Sequence, residues 1–302
     1  MRGSAGRIGF LFPGDGLNDD EFWSYLPDGV AWLTARYPGT LPDQPLNQAT
    51  FAASADLGPM VAAAGVLAEA HPDVIVTGDH AGSFILGLGH DLAQGHAIAQ
   101  ASGARAGSTP STAIVAALQS LGIARVAITS PYDTEVTAAG RAFLQGHGIA
   151  VVAEARRSFD DETGIAGQAA DFWSEAAQAA DHPDAQAIVL MGGGLRTGGM
   201  IARLEAVLGK PVIAATAALV WHASLLLGVN PDRPHLGRLF GVNLVRAPLS
   251  RHLSSGTKAM SVTSEPPIFG WGRGTRLYDT AGRGYLDFAC GSGTSVLGHA
   301  HP

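Results

Sequence analysis

The sequence predicts an α/β protein built from parallel sheets that are covered by helices on both faces. Short apolar runs such as 125–129 (RVAIT) and 187–191 (AIVLM) are typical of buried parallel strands. Stretches with helical spacing of apolar residues separate these runs, so strand and helix alternate along most of the chain. In addition, the segment from Gly103 to Ile123 resembles the segment from Gly209 to Val229, and the repeat predicts two equivalent lobes.

Each element is predicted from its apolar pattern and from the turn residues that bound it. The first strand ends at a Pro-Gly turn, and Gly122 ends the helix that begins at Ser111. The predicted strands cover 7–12, 30–37, 73–77, 125–129, 149–154, 187–191 and 211–214. The predicted helices cover 19–26 (a short helix or an irregular lid), 55–70, 92–103, 111–121, 135–146, 164–180, 202–208 and 217–227.

Composition limits the class of protein. The 302 residues are 46% hydrophobic and only 15% charged, which is enough apolar material for two lobes. A net charge of −7 disfavours binding to nucleic acid or to anionic membrane surfaces. Cys290 is the only cysteine, so an intramolecular disulfide and a cysteine metal cluster are excluded. With no signal sequence and no membrane span expected, the sequence predicts a cytoplasmic protein.

The most informative local pattern is a strand, three glycines and a helix start. The strand at 187–191 runs into Gly192–Gly194, here called the glycine turn, and a helical pattern follows from Ile201. Glycines allow close approach of the backbone to a ligand, and a helix start adds positive potential. The pattern predicts a site for a carboxylate or phosphate at the carboxyl end of a strand. The alternative is a tight turn that needs glycine for its conformation.

The sequence changes character near residue 250, which predicts three parts. Residues 1–250 form the two-lobe domain, and residues 251–267 are rich in serine and proline, as expected for a linker. Residues 268–302 form a C-terminal appendage, in which 276–288 reads as a strand hairpin.

From Arg7 to about Val245 the chain resembles the aspartate/glutamate racemase superfamily. The matching segments are RIGFLFPGDG, VIVTGDHAGSF, STAIVAALQSLGIARVAITSPY and AIVLMGGGLRT, in the order and spacing of that family. They look most like the branch of arylmalonate decarboxylase and maleate cis-trans isomerase. The resemblance implies two Rossmann-like lobes related by pseudo-twofold symmetry, a site in the cleft between them, and neither an organic cofactor nor a metal.

The resemblance fails at the residues that carry the family's chemistry. Members use one or two cysteines at the strand ends, as nucleophile or acid/base beside a carboxylate. Asp79 stands where the first cysteine is expected, and Gly192 stands where the second is expected. Asp79 or His80 is therefore predicted to move the proton. The alternatives are that Asp79 is a turn residue and that His80 is structural.

Other parts of the family's carboxylate site are retained. Tyr132 matches a tyrosine that holds the substrate carboxylate, and it is also a catalytic candidate; its alternative role is to pack against the cleft wall. Ser83 matches a hydroxyl of the first loop, and Gly193 and Gly194 match backbone donors. Pro13 and Gly14 form the turn after the first strand. The predicted substrate-binding set is Pro13, Gly14, Ser83, Tyr132, Gly192, Gly193 and Gly194.

These observations predict a cofactor-independent lyase or isomerase that acts on a small carboxylate through a cysteine-free site. One alternative is a non-catalytic carboxylate-binding module that kept the fold and lost the thiols. Another is the N-terminal part of a bifunctional fusion, because residues 268–302 resemble the start of class III PLP-dependent aminotransferases. No PLP chemistry is expected from this chain, since the cofactor-binding lysine is absent. A homodimer and a functional link to such an aminotransferase are further expectations.

Overall fold

The computed structural model describes residues 4–14, 16–39 and 43–242, and the backbone of 269–273, 276–279 and 284–286. The chain divides into two compact units, Met1–Asn243 and Leu244–Pro302.

Two parallel sheets of four strands form the first unit. The first sheet contains β1 (Gly6–Pro13), β2 (Val30–Tyr37), β3 (Val74–Thr77) and β4 (Ala106–Ser108). The second contains β5 (Arg125–Ser130), β6 (Ala150–Arg156), β7 (Ala187–Leu190) and β8 (Val212–Ala214). The strand order is β2-β1-β3-β4 in the first sheet and β6-β5-β7-β8 in the second. In chain order within each lobe, both sheets therefore have the order 2-1-3-4, and all neighbouring strands are parallel. The predicted α/β fold with two equivalent lobes is confirmed.

Helices flank both sheets, as expected when crossover connections join parallel strands. The first lobe carries α1 (Asp19–Ser24), α2 (Gln48–Ser54), α3 (Leu57–Ala68), α4 (His80–Phe84), α5 (His90–Ser102) and α6 (Pro110–Ser120). The second carries α7 (Thr134–Gly146), α8 (Glu162–Ala166), α9 (Ala170–Ala180), α10 (Ile201–Leu208) and α11 (Ala215–Leu226). Short 3₁₀ helices follow at Pro234–Leu236 and Arg238–Gly241. Helices α6 and α11, which follow the last strand of each sheet, pack against each other and join the lobes.

The glycines of the sequence repeat occupy equivalent positions in the two lobes. Gly103 ends α5 and Gly209 ends α10, with φ angles of 70° and 71°. Gly122 and Gly228 follow α6 and α11, with φ angles of 68° and 73°. Glycine adopts this left-handed conformation without the steric cost that other residues meet. The repeat therefore reflects shared helix endings as well as shared strand order.

The central strands carry the core. Every residue of β3 and of β7 is buried, which matches their continuous apolar sequences VIVT and AIVL. Because neighbouring strands are parallel, their carboxyl ends meet at one edge of each sheet. The loops after β3, β5 and β7 start at these edges, and they carry most of the predicted site residues.

One local prediction was wrong, and several short elements, α4 among them, were not predicted. The helix predicted over 164–180 is interrupted, because α8 ends at Ala166 and α9 begins only at Ala170. Helix α2 precedes the helix predicted from Ala55 and was not expected. Strand β4 (Ala-Gly-Ser) was also missed, because its residues have low strand propensity. The strand forms where Gly107 meets α5 closely: a Cβ on Gly107 would lie 2.0 Å from the Gly95 carbonyl oxygen.

One apolar segment passes a simple test for a membrane span. By length and hydropathy alone, Gln48–Ala68 could cross a bilayer. In the structure it consists of two helices, and Asp56 caps the second by accepting the Gly58 N–H. Met60 and Ala64 of that helix are fully buried in the core of the first lobe. Packing in the core of the first lobe therefore accounts for the buried face of the second helix.

The described part of the second unit is a three-stranded antiparallel sheet. Its strands are β9 (Phe269–Arg273), β10 (Arg276–Asp279) and β11 (Gly284–Leu286), in the order β11-β10-β9. The pairing of β10 with β11 corresponds to the predicted hairpin. The predicted linker over 251–267 and Cys290 lie outside the described residues.

Candidate functional site

Loops from the two lobes meet at the carboxyl ends of β3 and β7. The backbone N–H of Gly192, in the second lobe, donates to Nδ1 of His80 in the first lobe at 2.9 Å. Gly193 touches the loop after β3 so closely that a Cβ would lie 2.7 Å from the Gly78 carbonyl oxygen. The glycine turn and His80, both predicted to belong to the site, are therefore in direct contact.

Gly192 has a backbone conformation that excludes most side chains. Its φ angle is 120°, and a Cβ would lie 2.3 Å from Cδ1 of Leu195. The position at which the resemblance places a cysteine is thus shaped for glycine in this chain. In the conformation that glycine allows at this position, the backbone N–H of Gly192 reaches His80.

His80 is a neutral imidazole of known tautomer. It is 3% exposed, and burial lowers its pKa to about 3. Because Nδ1 accepts a hydrogen bond from Gly192, the ring hydrogen of the neutral form lies on Nε2. The negative charge of a ligand beside the ring would favour the protonated form and raise this pKa.

Tyr132 lies on the second lobe, after β5, and reaches the same loops. It is 2% exposed, and Phe51 and Phe84 pack edge-on against its ring with centroids 5.2 Å and 6.4 Å away. Burial, together with the negative charges of Glu162 and Asp79, raises the Tyr132 pKa well above 10. The hydroxyl therefore keeps its proton and can donate it to an anion.

Asp79 is bound within the first lobe. Oδ1 accepts the N–H of Gly82 at 2.9 Å, which makes Asp79 the N-cap of α4. Oδ2 lies 2.6 Å from Oγ of Ser54 on α2. Both carboxylate oxygens thus accept hydrogen bonds from groups of the first lobe and not from the glycine turn. This geometry favours the alternative that Asp79 is a turn residue over the prediction that it is a catalytic base. Burial raises the pKa of Asp79 above its ordinary value of 3.8.

Replacing Asp79 by asparagine is expected to preserve the fold and to change how stability depends on pH. The amide oxygen of the new side chain would still accept from Gly82, and its NH₂ group could donate to Ser54. In wild type the folded-state pKa is raised, so folding binds a proton and stability falls as the pH rises through that pKa. The Asp79→Asn variant has no titrating group at this position, so its stability does not fall in this way. Urea unfolding at several pH values, from about 4 to about 7, should show that the free energy of unfolding of the variant increases relative to wild type as the pH rises. A constant difference would contradict the assignment.

Other predicted residues have different partners. The Ser83 hydroxyl donates to the His80 carbonyl oxygen at 2.7 Å and lies 2.6 Å from the Ser111 hydroxyl, so it supports α4, which begins at His80. Pro13 and Gly14 contact the end of β2: the Pro13 carbonyl accepts from Arg36, and Gly14 is exposed. Substrate binding by these three residues stays a prediction.

A contact that the sequence did not reveal involves Asn18. Its side-chain Nδ2 donates to the Gly193 carbonyl oxygen at 2.7 Å. An asparagine just before a helix is ordinarily a capping residue, so the sequence offers no signal for this role.

A small cavity lies next to His80. Its volume is about 10 Å³, room for about one water molecule, and residues of both lobes, including Phe84 and Met191, line it. Among the described residues, no group of three or more His, Cys, Asp or Glu side chains could hold a metal ion.

Comparison with known proteins identifies the family. The family model for arylmalonate decarboxylase matches residues 46–240. Arylmalonate decarboxylase from Bordetella bronchiseptica is 34% identical over 169 residues, which are 52% of this chain and 67% of that protein.

Solved structures show the same fold. A double mutant of arylmalonate decarboxylase in its liganded form superposes with a TM-score of 0.70 at 24% identity, over 78% of this chain and 98% of that one. A maleate cis-trans isomerase mutant from Nocardia farcinica, with a covalently bound succinylcysteine intermediate, gives a TM-score of 0.70 at 20% identity with the same coverage. The match to the family model and the identity to the Bordetella protein go beyond fold. The chain belongs to the arylmalonate decarboxylase family, within the decarboxylase and maleate isomerase branch of the aspartate/glutamate racemase superfamily.

Proposed function

We propose that the chain is a cofactor-independent lyase or isomerase that acts on a small carboxylate between the two lobes, without a cysteine. The observation that carries the proposal is the hydrogen bond from Gly192 N–H to His80, which joins the glycine turn to a side chain of a type that can take up and release a proton. The family relatives are named as a decarboxylase and as isomerases, which supports this class of reaction.

Binding would exchange a neutral partner for a charged one. In the structure the amide of Gly192 donates to an uncharged acceptor, the His80 ring. A carboxylate forms a shorter and stronger hydrogen bond with the same amide. The Tyr132 hydroxyl, which keeps its proton, can donate it to the ligand. His80 would become protonated beside the new negative charge, with the proton supplied by solvent.

The retained residues suit decarboxylation of a malonate better than cis-trans isomerisation. When CO₂ leaves, the electron pair of the broken C–C bond stays on the remaining carboxylate as an enediolate. The amides of the glycine turn and the Tyr132 hydroxyl would stabilise that charge. The His80 imidazolium would then give its proton to the carbon, and the neutral imidazole would be restored. Rotation about a C=C bond needs a nucleophile to add first, and the family's thiol is missing here.

A turnover panel tests the proposal. Phenylmalonate, maleate and aspartate are incubated with the protein, while CO₂ release and product formation are followed by NMR. We expect turnover of a malonate, and we expect Tyr132→Phe, which removes one hydroxyl, to lower kcat/KM by about 10²-fold. Equal rates in Tyr132→Phe and wild type would remove that hydroxyl from the mechanism.

The second candidate is a non-catalytic carboxylate-binding module. The absence of a cysteine from both strand ends favours it, since the thiols are the family's reactive groups. Calorimetry with the same compounds separates the two candidates, because binding without turnover supports the module.

A further inference from the structure

The carbonyl group of Gly193 is bound by two side chains. Asn18, from the first lobe, donates through Nδ2 at 2.7 Å, and the Thr216 hydroxyl donates at 3.3 Å. Asn18 is only 1% exposed, so its amide lies in an environment where hydrogen bonds are strong. A direct side-chain contact from one lobe thus fixes a peptide group in the glycine turn of the other.

Capping of α1 does not explain the Asn18 side chain. Asn18 occupies the N-cap position, but its side chain makes no capping hydrogen bond there. The backbone begins the helix without it, since the Asn18 carbonyl accepts the N–H of Glu21 at 3.1 Å. Asparagine at this position usually caps the helix with its side chain, but here the side chain binds Gly193 instead.

The contact determines where the next amide points. No cis peptide bond occurs among the described residues, so the peptide between Gly193 and Gly194 is trans. In a trans peptide the C=O and N–H bonds point in opposite directions. Glycines on both sides leave the peptide plane free to rotate unless something holds it. Binding of the Gly193 oxygen by Asn18 therefore sets the direction of the Gly194 N–H.

The rest of the segment 17–25, here called the α1 segment, keeps Asn18 in place. Oε1 of Glu21 accepts both the N–H and the hydroxyl of Thr197 at 2.7 Å. The Tyr25 hydroxyl lies 3.0 Å from the same Thr197 hydroxyl. Arg196 forms an ion pair with Asp20 at 2.7 Å. Side chains a few residues from Asn18 thus bind the loop that continues from the glycine turn.

We propose that Asn18 is a positioning residue of the site: it orients the Gly193–Gly194 peptide so that the Gly194 N–H faces the bound carboxylate. The inference rests on the proposed function for its catalytic consequence. The structural part of the inference is the direction of the Gly194 N–H bond, which can be measured without any substrate.

The test compares Asn18→Asp with wild type. Aspartate keeps the size of the side chain, and in its ionised form it presents only acceptors to the Gly193 oxygen, so the hydrogen bond that holds the peptide plane is lost. The matched control is Gln186→Ala, which removes two hydrogen bonds at the opposite end of β7, from the N–H groups of Ala124 and Arg125. Thr216→Val removes the weaker donor to Gly193 and should have a smaller effect.

The primary measurement is the residual dipolar coupling of the Gly194 N–H, which reports the direction of that bond. We expect it to change in Asn18→Asp while the couplings of β7 stay constant, and to remain unchanged in Gln186→Ala. On a substrate from the panel, kcat/KM should fall by up to about 100-fold in Asn18→Asp, mainly through kcat. An unchanged Gly194 coupling in Asn18→Asp overturns the inference, with or without a known substrate. A changed coupling with no turnover in wild type contradicts the proposed function instead.

Discussion

Replacement of His80 by glutamine is expected to lower kcat/KM by about 10²- to 10⁴-fold, the usual contribution of a positioned acid or base. The glutamine side-chain oxygen can still accept the Gly192 N–H, so the contact between the lobes is retained. What is lost is a group that can take and return a proton. Initial rates for wild type, His80→Gln and His80→Ala measure the effect. The exposed His96 on α5, changed to glutamine, is the matched control and should react at the wild-type rate.

The His80→Gln variant is also expected to change the number of protons taken up when the ligand binds. Burial holds the free His80 neutral above about pH 3, whereas the ligand complex is expected to be protonated. Ligand binding then takes up a proton, and affinity falls as the pH rises. Calorimetry in buffers of different ionisation enthalpy measures that uptake. We expect it in wild type and expect its loss in His80→Gln. Proton uptake that persists in the variant would assign the titration to another group.

Alanine at Gly193 is expected to destabilise the protein by about 1–3 kcal/mol and to abolish ligand binding. The added methyl group would lie 2.7 Å from the carbonyl oxygen of Gly78, which is too close, and at an ordinary contact distance of 3.7 Å from the amide nitrogen of His80. The Gly78 oxygen belongs to the backbone and cannot turn aside, so the loops of the two lobes must separate. Urea unfolding and calorimetry measure the two effects.

A second glycine provides the control for this change. Gly65 lies on the exposed face of α3, and a Cβ there would meet nothing within 4 Å. Gly65→Ala should therefore stabilise the protein by about 0.5–1 kcal/mol through helix propensity. If Gly193→Ala is as stable as wild type and binds ligand equally well, the loops do not meet as described.

The sequence was informative where local pattern and function coincide. Tyr132 and the glycine turn follow β5 and β7, which are neighbours in one sheet, so their proximity could be predicted from the shared edge. His80 follows β3 of the other sheet, and its place beside the glycine turn was expected only from the cleft between two lobes that the resemblance implied. The alternatives for Asp79 could not be separated, because its partner Ser54 lies on a helix that was not predicted. The role of Asn18 was hidden for a related reason. Its partner Gly193 is 175 residues away in the other lobe, and no periodicity records such a contact.

The central claim is that the glycine turn binds a carboxylate while His80 moves the proton. A crystal structure with phenylmalonate tests this most directly. The account predicts a carboxylate within hydrogen-bond distance of the Gly192–Gly194 amides and of the Tyr132 hydroxyl, with the Gly192 N–H released from the His80 ring. Phenylmalonate bound elsewhere, with the hydrogen bond between Gly192 and His80 intact, would contradict it.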